Sequence, residues 1–270
     1  MEFWQQIEKD IGGKYRKKIW RPFMAAIKEY SLVKDGDKIA VCISGGKDSM
    51  LLAKCMQELK RHSPLNIDLR FICMDPGYAP ENRKRIEENC EKLNIPVEFF
   101  DTDVFEAVDV MECNPCYMCA KMRRGYLYRY AQTIGCNKIA LGHHFDDAVE
   151  TVLMSMIYAG QMRGMRPMLK SDNVPGMELI RPLYKVRERE IISWRDDYEL
   201  QFLACACRVT QNSRIRADGS SDSKRAEMKQ LARQLEKLNP DAAKNIFRSA
   251  HSVALDHLIS WKYSKRVSGT

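Results

Sequence analysis

The feature that most constrains the fold is the passage from an apolar run, residues 38–43, through Ser44-Gly45-Gly46-Lys47-Asp48-Ser49. It leads into a stretch where Leu51, Leu52, Cys55, Met56 and Leu59 recur at helical spacing. A strand that turns on paired glycines into an amphipathic helix aims main-chain N–H groups and the positive helix end at one spot. The missing side chains let an anion approach closely. The string lacks the GxxxxGK[ST] pattern, so γ-phosphate transfer of the usual kinase or GTPase kind is not supported. Further short apolar runs at 68–74, 97–102, 138–142 and 178–183 alternate with helical patterns, including Ala148, Val149, Val152, Leu153, Met156 and Ile157. Such alternation implies right-handed crossovers and an α/β fold, a doubly wound parallel sheet covered on both faces.

Helical sequence flanks this pattern. Residues 2–31 read as helical, 223–238 form a strong helix stopped by Asn239-Pro240, and a final helix is expected over 243–260. The expected organisation is an N-terminal helical extension (1–31), a nucleotide-binding α/β domain carrying a cysteine cluster (32–216) and a C-terminal helical segment (217–270). The stretch 217–223, ADGSSDS, is its linker. The chain of 270 residues can bury a sizeable core. It has no apolar run of about 18 residues, and its first residues are charged and amphipathic, so no membrane partner and a cytoplasmic location are expected.

A second element, Gly142-His143-His144-Phe145-Asp146-Asp147-Ala148-Val149-Glu150-Thr151, closes the fourth strand and opens a helix. Ligands of open α/β sheets gather at such carboxyl ends, which makes Gly142 and His143 nucleotide-site candidates. Asp147, Glu150 and Thr151 share one helical face by their spacing. Acidic residues in a first helical turn also suit the helix dipole alone.

Ten cysteines in a chain of this kind point to metal or sulfur chemistry rather than disulfides. Cys42, Cys55, Cys73, Cys90 and Cys136 sit in apolar or helical contexts and read as small buried hydrophobes. The other five cluster: Cys113-x-x-Cys116-x-x-Cys119 enters a helix striped with Met122, Tyr126 and Tyr130, and Cys205-x-Cys207 lies far downstream. Thiolates bind zinc and iron–sulfur clusters alike, but a closed structural zinc site usually takes two complete Cys-x-x-Cys pairs, and the second pair is absent. The net charge of +8 is patterned too, with no acidic residue from Cys113 to Phe145. Lys14, Arg16, Lys17, Lys18 and Arg21 make one basic patch, Lys121, Arg123, Arg124, Arg129 and Lys138 another, and Arg163, Arg166 and Lys170 a third, which favours a phosphate backbone as ligand.

The SGGKDS string resembles the signature SGGxDS of the ATP-pyrophosphatase, or PP-loop, superfamily. That resemblance implies the Rossmann-like adenine nucleotide alpha hydrolase fold and cleavage of ATP between its α and β phosphates. Ser44, Gly45, Gly46, Lys47, Asp48 and Ser49 would hold the phosphates, Asp48 would help to place Mg²⁺, and adenine would lie against main chain near Met74 and Asp75. The string 142–151 resembles the GHxxDDxxET motif of PP-loop enzymes that act on tRNA, which makes Asp147 a catalytic candidate beside Asp48. Residues 116–128, CYMCAKMRRGYLY, look like the CxxCxxxRRGxLY element of the tRNA 2-thiocytidine synthetase (TtcA) family. GDKIAVCISGGKDS at 36–49, LGHHFDDAVET at 141–151 and IRPLYKVREREI at 180–191 match it in order, so the resemblance covers nearly the whole chain.

The resemblance implies a [4Fe–4S] cluster on Cys116, Cys119 and Cys205, with a free iron that carries sulfur. Cys207 and Cys113 are alternative ligands, because this chain reads Cys205-Ala206-Cys207 where the family has a CxxC. The implied partners are tRNA and a sulfur donor, such as a cysteine desulfurase or inorganic sulfide, and a homodimer is an open expectation. Thiolation of a free nucleobase or small metabolite, and a non-catalytic metal-binding RNA or redox module, are the rival readings; the last predicts no pyrophosphate formation.

Overall fold

The structure is a computed structural model that describes residues 1–102, 115–203 and 224–257, those of 115–121 by their helical backbone alone. Five of the six strands are β1 (Lys38–Ile43), β2 (Asp68–Asp75), β3 (Val97–Asp101), β4 (Lys138–Ala140) and β6 (Glu178–Ile180), all parallel. The sixth, β5 (Met168–Lys170), runs antiparallel on the edge beside β6. The order β3-β2-β1-β4-β6-β5 reverses at β1, so the crevice between the carboxyl ends of β1 and β4 is the topological switch point.

Alternation along β1 explains why the sheet is covered twice. Ile39, Val41 and Ile43 point into one core, and Ala40 and Cys42 point into another. The first core holds α3 (Lys47–His62) and the N-terminal helices α1 (Phe3–Gly12) and α2 (Arg21–Glu29). It also takes residues of α4 (Pro80–Lys92), α6 (Phe145–Ala159) and α7 (Glu188–Asp197). The second core packs α5 (Pro115–Thr133) through Tyr128 and Ala131. Near its end, Tyr130 stacks on Phe100 with centroids 3.9 Å apart, while Met122 and Tyr126 pack toward Met74.

The expected strands are found, but the fourth and fifth are shorter. Pro182 has no N–H to extend the ladder beyond Ile180, and after Leu141 the chain turns away into the GHH segment. Residues 2–31 are not one helix: α1 ends at Gly12-Gly13, and a π-helical turn, Arg16–Trp20, leads into α2. The C-terminal pair is α8 (Lys224–Leu238) and α9 (Ala242–Ser249), and both pack on α6. The final helix stops at Ser249 rather than near 260; Leu255–His257 is a 3₁₀ turn, and 258–260 lie outside the described residues, as does the expected linker 217–223. Among the described residues no helix is long and apolar enough to cross a membrane.

The N-terminal helices are bonded into the interior. Lys54 of α3 is fully buried, and its ammonium donates to Glu8 Oε1 at 2.6 Å and to the Leu93 carbonyl at 2.8 Å. Burial draws the Lys54 pKa down, and the charge and hydrogen bond of Glu8 oppose that.

The turn after β1 uses both glycines. Gly45 sits at φ +79°, where a Cβ would lie 2.7 Å from Ile86 Cγ1 and 3.0 Å from Leu203 Cδ1, and its carbonyl accepts from the Leu203 N–H at 3.1 Å. Gly45→Ala therefore adds left-handed backbone strain to an overpacked contact. It should cost about 2–4 kcal/mol in urea denaturation. Wild-type stability in that variant would show that the loop relaxes freely.

Candidate active site

Two loops meet at the switch point. Gly142, after β4, lies so close to the start of α3 that a Cβ there would be 3.0 Å from the Asp48 carbonyl carbon and 3.1 Å from Ser49 N. No side chain caps α3 at Gly46, so its first N–H groups stay available to an anion. Ser49 holds the turn from inside: its hydroxyl donates to the Gly46 carbonyl at 2.9 Å and accepts from Ser44 N–H at 3.1 Å.

Across from this cradle, α6 starts with a reciprocal cap. His144 N–H donates to Asp147 Oδ2 at 2.9 Å, and Asp147 N–H donates to His144 Nδ1 at 3.4 Å. This cap points His144 Nε2 between two carboxylates, 3.8 Å from Asp48 Oδ1 and 3.5 Å from Asp147 Oδ2. Asp48 Oδ1 is buried and has no hydrogen-bond partner among the described residues, the condition of a carboxylate oxygen that faces a cation site. The two adjacent aspartates divide their work. Asp146 accepts from Glu188 N–H at 2.6 Å and pairs with Arg187 at 3.1 Å, which fixes the start of α7, whereas Asp147 faces the cavity.

That cavity, about 400 Å³, is lined by Ser44, Asp48 and Ser49 from the first loop, Met74 from β2, and Gly142, His143 and Asp147 from the second. Arg123, Arg124 and Leu127 of α5 form the facing wall, and Cys42, Ile43 and Leu141 at the strand ends its floor. A second cavity of about 810 Å³ lies on the other side of the α3 start, lined by Gly46, Lys47 and Asp48 with Glu188 and residues 199–203. The predicted nucleotide residues are thus divided: Asp48 touches both spaces, Gly46 and Lys47 only the second, and Gly45 backs the loop. Asp75 lines neither. Its carboxylate accepts from Gly77 N–H, Tyr78 N–H and Arg83, and its carbonyl accepts from Thr102 N–H at 2.8 Å.

Charges from distant elements complete the site. Glu188 accepts from Lys47 at 3.2 Å and from Lys229 of α8 at 2.7 Å. Burial alone would raise Glu188, but Lys229 and Lys47 outweigh it and hold the carboxyl below its ordinary value; Asp48 and Glu188 in turn raise Lys47 against its burial. Arg225, also on α8, lies 3.5 Å from Asp147 and 3.4 Å from Glu150, and its guanidinium donates to Thr151 Oγ1 at 3.5 Å. The expected common face of Asp147, Glu150 and Thr151 is therefore real, and a cation covers it. For Asp147 the upward push of burial is outweighed by His144, His143 and Arg225. Burial, helped by Arg181, pushes His143 down to about 4, so it is neutral near pH 7, with Nδ1 buried and unpartnered. Sequence spacing gives Glu188, Arg181, Arg225 and Lys229 no role. Arg181 and Glu188 stand inside the 180–191 motif, which was the available signal, whereas Arg225 and Lys229 stand in what reads only as an amphipathic helix.

Cys42, Cys55, Cys73, Cys90 and Cys136 are all buried, as expected. Burial pushes their thiols up, Cys73 and Cys90 to about 12 and Cys136 to about 11, which makes them poor thiolate donors. Cys113, Cys205 and Cys207 lie outside the described residues, as do the side chains of Cys116 and Cys119, whose backbone belongs to the first turns of α5. Of the basic patches, the first is partly neutralised: Lys14 pairs with Asp197 at 2.6 Å and Lys18 with Glu190 at 3.1 Å.

An uncapped helix start at the switch point of a doubly wound sheet, facing a paired-carboxylate turn, defines a nucleotide-binding domain of the PP-loop class. The PP-loop domain family indeed matches residues 16–217. A tRNA-cytidine(32) 2-sulfurtransferase of Geobacter sulfurreducens is 34% identical over 90% of this chain and 92% of its own length, and one of Geotalea daltonii is 36% identical over 87% and 90%. The U34-tRNA thiolase NcsA of Methanococcus maripaludis, solved with its [4Fe-4S] cluster, superposes with a TM-score of 0.66 at 25% identity, over 88% of this chain and 78% of that one. The chain belongs to the PP-loop family and, within it, to the tRNA 2-thiocytidine synthetase (TtcA) family.

Glu150 offers a direct check on the site's electrostatics. Burial first, then the charge of Asp147, raises it from 4.5 to about 7, against the opposing pull of Arg225 and Lys229. The folded carboxyl binds its proton more tightly than the unfolded one, so its stabilising contribution is complete below pH 4.5 and is lost as pH rises through 7. Glu150→Gln, which stays neutral, should unfold at a higher temperature than the parent at pH 8, by about 1–3 kcal/mol of stability, with almost no gain at pH 4. An equal difference at both pH values would mean that ionisation of Glu150 is not involved.

Proposed function

We propose that this protein is an ATP-dependent tRNA thiolase that adenylylates the C2 carbonyl oxygen of a cytidine and exchanges that oxygen for sulfur. The observation that carries the proposal is the make-up of the smaller cavity: PP-loop, acidic turn and α5 share one space, and α5 is the helix whose first turns bear Cys116 and Cys119. The sulfurtransferase relatives and the NcsA thiolase support it.

The chemistry requires such a pairing. Oxide cannot leave an amide-like base carbonyl, whereas AMP can, so the oxygen is activated before sulfur arrives. The N–H groups at the start of α3 receive the phosphates, with Lys47, held by Asp48 and Glu188, as the cation beside them. Asp48 and Asp147 would hold Mg²⁺, which neutralises phosphate charge, and the buried free oxygen of Asp48 fits that role. Met74 borders the space assigned to adenine, and Arg123 and Arg124 face the substrate side.

Cys116, Cys119 and Cys205, with Cys207 or Cys113 in reserve, are the soft donor set that would hold a [4Fe–4S] cluster, which when bound would supply a site for sulfur. Two features of the described chain fit this set. Position 123, one helical turn beyond position 119 on α5, is an arginine that lines the cavity. Leu203, which precedes the stretch with Cys205 and Cys207, is bonded to Gly45 of the PP-loop. A cysteine desulfurase or inorganic sulfide acts as sulfur donor, and the setting is the cytoplasm.

The test is nucleoside analysis of tRNA from cells with and without the protein, in which 2-thiocytidine should vanish from the deletion strain. In vitro, Cys116→Ala and Cys119→Ala should each reduce thiolation to background and retain tRNA-dependent pyrophosphate release. Full thiolation in both variants, or an unchanged set of thionucleosides in the deletion strain, would sink the proposal.

A further inference from the structure

Between α6 and β5 the chain makes a loop, residues 160–167, whose backbone is tied at both ends and whose side chains largely face solvent. Gly160 ends α6 in the left-handed region, and Gln161 N–H donates to the Ser155 carbonyl at 2.9 Å. At the far end, Tyr184 Oη donates to the Met165 carbonyl at 2.6 Å, the Arg181 guanidinium to the Arg166 carbonyl, and Arg181 N–H to the Pro167 carbonyl at 2.9 Å. Arg181 and Tyr184 are both buried, so interior groups hold the loop in place.

On that fixed backbone Met162 is 56% exposed, and Met156 and Ile157 beside it on α6 are about half exposed. Arg163 and Arg166 are exposed, and no described carboxylate lies within 4.0 Å of either. The sequence has no acidic residue from Thr151 through Ser171. An apolar and cationic surface with no counter-charge among the described residues is unusual for a solvated face.

Its position gives the surface a meaning. Met168 pairs with Ile180 in antiparallel register, so the loop enters β5 at the carboxyl end of β6, the edge on which the PP-loop also lies. Arg181, which holds the loop on one side, faces Arg124 of the cavity wall on the other; burial and then that neighbouring charge lower Arg181 to about 10. Lys170 does not belong to this surface, because the antiparallel run of β5 carries it to the opposite end, across from Glu178.

We infer that loop 160–167 is an RNA-docking shelf beside the cavity, on which Arg163 and Arg166 bind backbone phosphates next to the presented base and Met162 lies against a ribose or base face. The inference rests on the thiolase reading and names the surface that reading needs. A second copy of the chain fits less well, since a two-fold axis would press this loop, which has no acidic residue of its own, against itself. The ties to Arg181 and Tyr184 let the shelf bind without paying to order a flexible loop.

The experiment is filter binding of an unmodified tRNA transcript to the full chain over a salt series. Arg163→Ala/Arg166→Ala should bind about tenfold or more weakly near 0.1 M salt, with the slope of log affinity on log salt reduced by about 2, while KM for ATP stays unchanged. Lys170→Ala, at the other edge, should match the parent. Parental affinity and slope in the double variant would overturn the shelf, as would unchanged RNA binding with an altered mass in light scattering, which would mark a surface between copies. Failure of the parent itself to bind tRNA would instead remove the thiolase reading and the shelf with it.

Discussion

The approach of Gly142 to the Asp48 and Ser49 backbone governs the rest of the site. A Cβ at Gly142 would sit 3.0–3.1 Å from main-chain atoms that cannot swing aside, so the contact exists only because both partners present bare backbone. It brings the ends of β1 and β4 close enough for His144 to stand between Asp48 and Asp147. Sheet topology puts the two loops at the switch point, but the glycine contact sets their separation.

Charge then locks what backbone geometry places. Lys47, Glu188 and Lys229 form a chain from the PP-loop through α7 to α8, and Arg225 covers the carboxylate face of α6 from the same helix. The buried members would be costly alone. Each is tolerable because an opposite charge lies within about 3–4 Å in a partly dry setting. Helix α8 is therefore part of the nucleotide site's electrostatics, although it contributes nothing to the sheet.

Much of this was readable from residues close together in sequence. SGGKDS and GHHFDD encode their geometry locally, through glycines, helix starts and i, i+3 spacing, and the strands before them are apolar and continuous. The unread parts have physical reasons. β5 has only three residues, too few to show a period of two, and it pairs antiparallel on an edge. Glu188 meets Lys47 across 141 residues of sequence and Lys229 across 41, and no local pattern encodes such a meeting. The helical reading of 2–31 overlooked the Gly12-Gly13 stop and the π-helical turn, which five residues of ordinary helix-forming character disguise. The basic count near Lys14 and Lys18 likewise overstated free charge, because their partners on α7 are remote in sequence.

The burial of Lys54 has a practical corollary. Its ammonium is bonded to Glu8, a residue of the first helix, and to the Leu93 carbonyl, with the charges of Glu58 and Arg61 further off. Trimming the leading dozen residues, as is often done to obtain a shorter recombinant product, would take from a buried cation its one bonded carboxylate. Such a product should be insoluble or proteolysed even though every residue of the catalytic loops remained in it.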